Sequence, residues 1–116
     1  MELIALLSEG KGTWAQVAGL IREGEWEKII LIGDNYAGEF RAEKETTFVS
    51  VDLSLPLKEL KAMISEKLKP KISGMETALS IASGTGKEHM ALISALITLP
   101  VGIKFVALTK DGIIEF

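Results

Sequence analysis

Residues 78–91 read Ala78-Leu79-Ser80-Ile81-Ala82-Ser83-Gly84-Thr85-Gly86-Lys87-Glu88-His89-Met90-Ala91. A short apolar run, Ala78–Ala82, passes into a glycine-rich turn, and a second apolar stretch of helical length follows. The run is continuous rather than alternating in polarity, which fits a strand covered on both faces, as in a parallel sheet. Thr85 and Glu88 have the spacing of a capping box, and Pro100 stops the pattern, so a helix is predicted over Glu88–Leu99. Strand, loop and helix in this order are half of a βαβ unit.

The rest of the chain repeats the theme. Four more apolar runs stand at Leu3–Leu7, Ile29–Ile32, Thr47–Val51 and Lys104–Leu108. Thr13–Glu23 carries Trp14, Val17, Ala18 and Ile21 on one helical face, with a second capping-box spacing at Thr13 and Gln16, and Gly24 to end it. Leu55–Leu68 carries Leu57, Leu60, Ile64 and Leu68, with Pro56 in its first turn and Pro70 beyond its end. Residues 34–45 are polar and read as a short helix or a long loop. Lys110-Asp111-Gly112 reads as a hairpin turn and Ile113–Phe116 as a last antiparallel strand. Strand and helix alternate, so right-handed crossovers wind the chain into a doubly wound α/β sheet. Five mainly parallel strands in the order 3-2-1-4-5, plus the C-terminal hairpin strand, are expected within one domain, residues 1–116.

Composition bounds the function. The chain has 116 residues, 47% of them hydrophobic, a net charge of −3 and no cysteine. Disorder, a disulfide framework, a thiolate metal site and a cysteine nucleophile are thereby excluded. Lys and Arg are scattered, without the basic stripe of a non-specific duplex binder. Met90–Leu108 is long enough to span a membrane, but Pro100, Gly102 and Lys104 interrupt it, so helix then strand is the better reading. Met1 and Glu2 lead directly into an apolar run without a basic leader, and a cytoplasmic protein is expected. One Asn (Asn35) and one Gln (Gln16) beside frequent Glu and Lys match a thermophile's bias.

In a 3-2-1-4-5 sheet the winding direction reverses between strands 1 and 4. Ligands bind in the crevice outside their carboxyl ends. Both glycine-rich loops belong there. Ser8-Glu9-Gly10-Lys11-Gly12-Thr13 follows strand 1, and Ser83-Gly84-Thr85-Gly86-Lys87 follows strand 4. Each leads into a helix N-terminus, whose free N–H groups and dipole favour an anion, and Lys11 and Lys87 add charge. The bland alternative is that both are only tight turns. The second loop is not a Walker A motif: Ile81 stands where the first glycine belongs, and Glu88 replaces the Ser or Thr. The first loop matches G-x-G-x-x-A over Gly10–Ala15, and Asp34, 19 residues after Ala15, fits the acid that binds the ribose of a nicotinamide dinucleotide. Asp34 is equally a turn residue of Gly33-Asp34-Asn35. His89 is the only histidine, and no partner acid completes a triad with Ser83. The predicted third helix is apolar on nearly all sides, so a second subunit is expected to cover it, making a homodimer through residues 88–99.

The segment 78–91 also resembles the strand-4 motif of CARF domains, the CRISPR-associated Rossmann-fold sensors. There a strand runs into a Ser/Thr-Gly-Gly-Thr-Lys-type loop and an apolar helix with an early methionine. Here the order is Gly84-Thr85-Gly86-Lys87, and Met90 follows. The resemblance implies a Rossmann-like homodimer that senses cyclic oligoadenylates without a further cofactor. Ser83, Gly84, Thr85 and Lys87 would contact the ligand's phosphates and riboses, with Ser8 and Gly10 on the floor. Some members, the ring nucleases, cleave the ligand. Cleavage here would run without metal, since no His, Asp and Glu stand at ligand spacing. The ligand's own 2′-hydroxyl would attack the adjacent phosphate, Lys87 would stabilise the developing charge and Ser8 would place the ribose. Two other readings stay open: a nicotinamide-dinucleotide-binding subunit, and a protein-interaction module whose loops are turns only.

Overall fold

The computed structural model describes residues 1–8 and 13–116. Six strands form one sheet in the order β3-β2-β1-β4-β5-β6. In chain order the elements are β1 (Glu2–Leu7), α1 (Trp14–Glu23), β2 (Lys28–Gly33), a 3₁₀ helix (Asn35–Glu39), β3 (Thr47–Ser50), α2 (Leu57–Leu68), β4 (Glu76–Ser80), α3 (Gly86–Ile97), β5 (Gly102–Thr109) and β6 (Gly112–Glu115). β1 to β5 are parallel, and β6 returns antiparallel beside β5. This is the expected doubly wound, Rossmann-like topology.

The continuous apolar runs are explained by where the strands lie. β1 is the central strand, and all six of its residues are buried. Alternate side chains feed two cores. Ile4 and Leu6 meet Ile30, Ile32 and Leu79 under α2 and α3. Leu3, Ala5 and Leu7 meet Leu31 and Val106 under α1. A fully buried leucine or isoleucine contributes roughly 1.5–3 kcal/mol, so these two layers are the main source of the domain's stability.

Several boundaries differ from the expected ones. β4 starts at Glu76, two residues before the apolar run, and ends at Ser80 rather than Ala82. Thr77 pairs across from both Glu2 and Ile103 and is wholly buried, so a polar residue belongs to the strand. Glu2 is buried too, its carboxylate accepting from the Ser73 amide and hydroxyl and the Gly74 amide. β5 is likewise longer than its apolar run, from Gly102 to Thr109. α2 begins at Leu57, with Pro56 as its N-cap, and α3 runs from Gly86 to Ile97. Residues 34–45 hold the 3₁₀ helix and a loop, opened by Asp34, whose carboxylate accepts from the Tyr36 amide at 3.0 Å.

The Thr13–Gln16 capping box does not form. Thr13 is the N-cap of α1 but makes no side-chain cap bond, and the Gln16 amide oxygen accepts from the Leu108 N–H of β5 at 2.6 Å. Gly24 does end α1, in extended rather than left-handed backbone. The Trp26 indole donates to the Leu20 carbonyl at 2.7 Å and lies so close that a Cβ on Gly24 would come within 2.3 Å of it. Among the described residues, no helix is long and apolar enough to cross a membrane.

Candidate functional site

The parallel sheet brings the carboxyl ends of β1, β2, β3 and β4 to one edge. A cleft of about 330 Å³ opens there. Its walls are Ser8 after β1, Asp34 after β2, Leu53 and Ser54 after β3, and Gly84, Thr85 and Glu88 after β4. Asp34 also lines a 400 Å³ depression with Asp52 and Lys67. A third hollow, of 370 Å³, lies at the opposite edge between Trp26, Lys28, Lys44 and Thr47. Among the described residues, no glycine loop or helix N-terminus lines it, so it is the weaker candidate.

The residues that open the two loops touch. The Ser8 amide donates to the Ser83 hydroxyl at 3.0 Å, although the residues are 75 apart in the chain. Ser8 and Ser83 are both buried, and the bond joins the start of the first loop to the start of the second. On the far side of the first loop, the Trp14 indole donates to the Ser8 carbonyl at 2.8 Å, tying the start of α1 to the end of β1. Trp14 meets Tyr36 and Phe40 edge-on, each at 5.8 Å between ring centres. Gly10, Lys11 and Gly12 lie outside the described residues.

The second loop is built almost entirely by local rules. Thr85 caps α3: its hydroxyl accepts from the Glu88 amide at 3.2 Å, and the Glu88 carboxylate accepts from the Thr85 amide at 2.8 Å. The expected capping box is therefore present, and Glu88 is buried by it. Gly84 has φ +116°. A Cβ there would stand 2.4 Å from Leu6 Cδ2, so the turn itself demands this glycine. Gly86 is different. It is the first residue of α3, and a Cβ built on it meets nothing within 4 Å. Lys87 is exposed in the next position.

The sequence-predicted residues thus fall into three groups. Ser8, Asp34, Gly84 and Thr85 converge on the cleft. Gly86 and Lys87 follow Thr85 as the first two, exposed residues of α3, and their amides have no acceptor within the helix. Ser83 lies beneath the surface as a strut, and Thr13 is exposed at the start of α1. Sequence reasoning did not single out the segment 52–54. Asp52 accepts from the Ser54 amide at 3.0 Å and from its hydroxyl, an Asx turn before α2. An Asp-x-Ser ahead of a proline was the available signal, and it looks like any helix start. The Ser54 hydroxyl and amide hold the Asp52 carboxyl below its ordinary range; desolvation works against them, and the Lys87 charge adds a lesser lowering.

Fold and cleft together define a Rossmann-like α/β domain with a cleft at the sheet's topological switch point. No protein-family model matches the chain, and no curated protein does. Nicotinamide-dinucleotide domains give one point of comparison at the start of α1. Their fingerprint needs a small third residue for close packing of helix on strand. Here that residue, Ala15, is exposed, and Trp14 is the buried one.

Proposed function

We propose that this domain binds a nucleotide in the cleft between the carboxyl ends of β1 and β4, as a CARF-like sensor of cyclic oligoadenylates. The observation that carries the reading is the Ser8–Ser83 hydrogen bond, which ties the end of β1 to the start of the second glycine-rich loop beside one cleft. The chemistry of the opening is divided. Its rim on α3 offers two helix-terminal amides and the Lys87 ammonium, which suit a phosphate. Its walls offer Asp34 and Ser54, and Asp34 has one carboxylate oxygen engaged by Tyr36, leaving a second to accept from ribose hydroxyls. Such a division suits a nucleotide better than a free phosphate. In this reading the protein acts as a homodimer. α3 buries Ala91, Leu92, Ala95 and Leu96 but turns Met90 and Ile97 outward, 59% and 68% exposed, with half-buried Ile93 between them. Residues at this spacing share one helix face, and no charge interrupts it.

Thermal unfolding with cyclic tetraadenylate, NAD, NADP and ATP tests the ligand class. A nucleotide at about 100 times its Kd adds roughly 2.7 kcal/mol, several degrees of Tm. Stabilisation by cyclic tetraadenylate supports the reading, and stabilisation by NAD alone overturns it in favour of a dinucleotide domain. No response to any of them leaves an interaction module. Chromatography of cyclic tetraadenylate after long incubation then separates a sensor, which returns it intact, from a ring nuclease.

A further inference from the structure

His89 was the one histidine with no role in the sequence, and its surroundings supply one. Its Nε2 lies 2.8 Å from the Ser83 carbonyl oxygen. A carbonyl only accepts, so Nε2 carries the hydrogen and donates it. The same Ser83 takes the Ser8 amide on its hydroxyl. One buried residue therefore joins β1 through its side chain and α3 through its main chain. Gly84 follows at φ +116°, with a Cβ position only 3.0 Å from His89 Nε2 and 3.2 Å from Glu88 Oε1. The next amide, Thr85, is held by Glu88. The loop lining the cleft is thus gripped by two adjacent side chains of the first turn of α3. Glu88 does so as part of a capping box, which its position predicts. His89 does so by a bond that no capping rule requires.

We propose that His89 is a positioning residue for the cleft: its Nε2–H holds the Ser83–Thr85 loop against β1 in the form a nucleotide meets. For its ligand this rests on the nucleotide reading above, and for the loop it rests on geometry alone. His89 does not line the cleft, so it acts through Ser83 and Gly84.

The test compares His89→Leu, which keeps apolar bulk and loses the donor, with His89→Gln, whose amide nitrogen can restore it. Nitrogen-15 spectra of the wild type should show hydrogen on Nε2. In His89→Leu, hydrogen exchange of the Ser8 amide should speed up by about tenfold, the worth of one lost hydrogen bond. Affinity for cyclic tetraadenylate should fall by a similar factor. His89→Gln should restore both, while exchange in the buried turn Ala91–Ala95 stays unchanged, which a general loss of stability would not permit. Unchanged Ser8 exchange in His89→Leu, or no recovery in His89→Gln, overturns the proposal. A wild type that binds no nucleotide ends the nucleotide reading, and the exchange result still decides the role of His89.

Discussion

Ser80 carries a hydroxyl that is buried and has no hydrogen-bond partner among the described residues. It ends β4 on the face of Ala78, opposite Ala5 of β1. An unpaired buried hydroxyl has lost its water for no return, so Ser80→Ala is expected to be neutral or to stabilise by up to about 1 kcal/mol. A clear drop in the urea midpoint would show that the hydroxyl has a partner. The two glycines of the second loop make a sharper pair. Gly84→Ala meets both a positive φ and Leu6 Cδ2 at 2.4 Å, and should cost about 2 kcal/mol or more. Gly86→Ala meets open space at a helical position and should stabilise by up to about 1 kcal/mol. If the ligand lies on the Gly86 backbone, that variant is the more stable protein and the poorer binder, which chemical unfolding and calorimetry distinguish. Two glycines beside a lysine suggested a site in the sequence, yet only Gly86 is left unexplained by the turn. The backbone angle that separates them cannot be read from letters.

At the scale of elements, two capping-box spacings had different fates. Thr85–Glu88 closed as local rules require, and Thr85→Ala should cost about 0.5–2 kcal/mol. Thr13–Gln16 did not close, because the end of β5 offers Gln16 the Leu108 amide 92 residues away. No periodicity of α1 contains that partner. The loop from β3 to α2 adds a pH dependence. Asp52 is held below the ordinary aspartate pKa first by the Ser54 hydroxyl, then by the Ser54 amide, then by Lys87. Between the folded and unfolded values the unfolded chain binds more protons, so stability rises with pH there. The contribution is complete above the ordinary aspartate pKa of about 3.9, and is lost as pH falls through the lower folded value. Asp52→Asn should therefore flatten the acid limb of the urea midpoint below about pH 5 and leave its slope near neutrality unchanged. An identical acid limb in both proteins would refute this.

For the whole molecule, the continuous apolar runs and the alternation of strand and helix were enough to order the sheet. What they could not sort was the third helix. An apolar residue at every turn of α3 hides which side is inward, and Leu96 and Ile97 look alike in sequence. Packing against the sheet and α2 buries Leu96 completely and leaves Ile97 exposed. Ile97→Glu is thus the substitution that tests the dimer, whereas Leu96→Glu would put an uncompensated charge in the core and unfold the chain. Light scattering at micromolar concentration should report dimers for the wild type and folded monomers for Ile97→Glu. A monomeric wild type removes the dimer. Phe116 stacks on Phe105 at 6.3 Å and is itself 70% exposed, as Ile114 is 44% exposed on the β6 edge. Exposed apolar residues of this kind belong to the hairpin, which the sequence placed but could not orient.

The sequence by itself determined the order of the elements and the shared edge of the sheet at which β1 and β4 end. Periodicity, turn residues and the handedness of crossovers act over short range, and each is written in a few consecutive residues. The tertiary structure alone decided that Ser83 is a buried strut tied to Ser8, that Gln16 serves the backbone of β5, and that Leu53 and Ser54 come to the cleft beside Ser8. These depend on contacts between segments far apart in the chain, whose free energy is settled by which partner the packed core brings within about 3 Å.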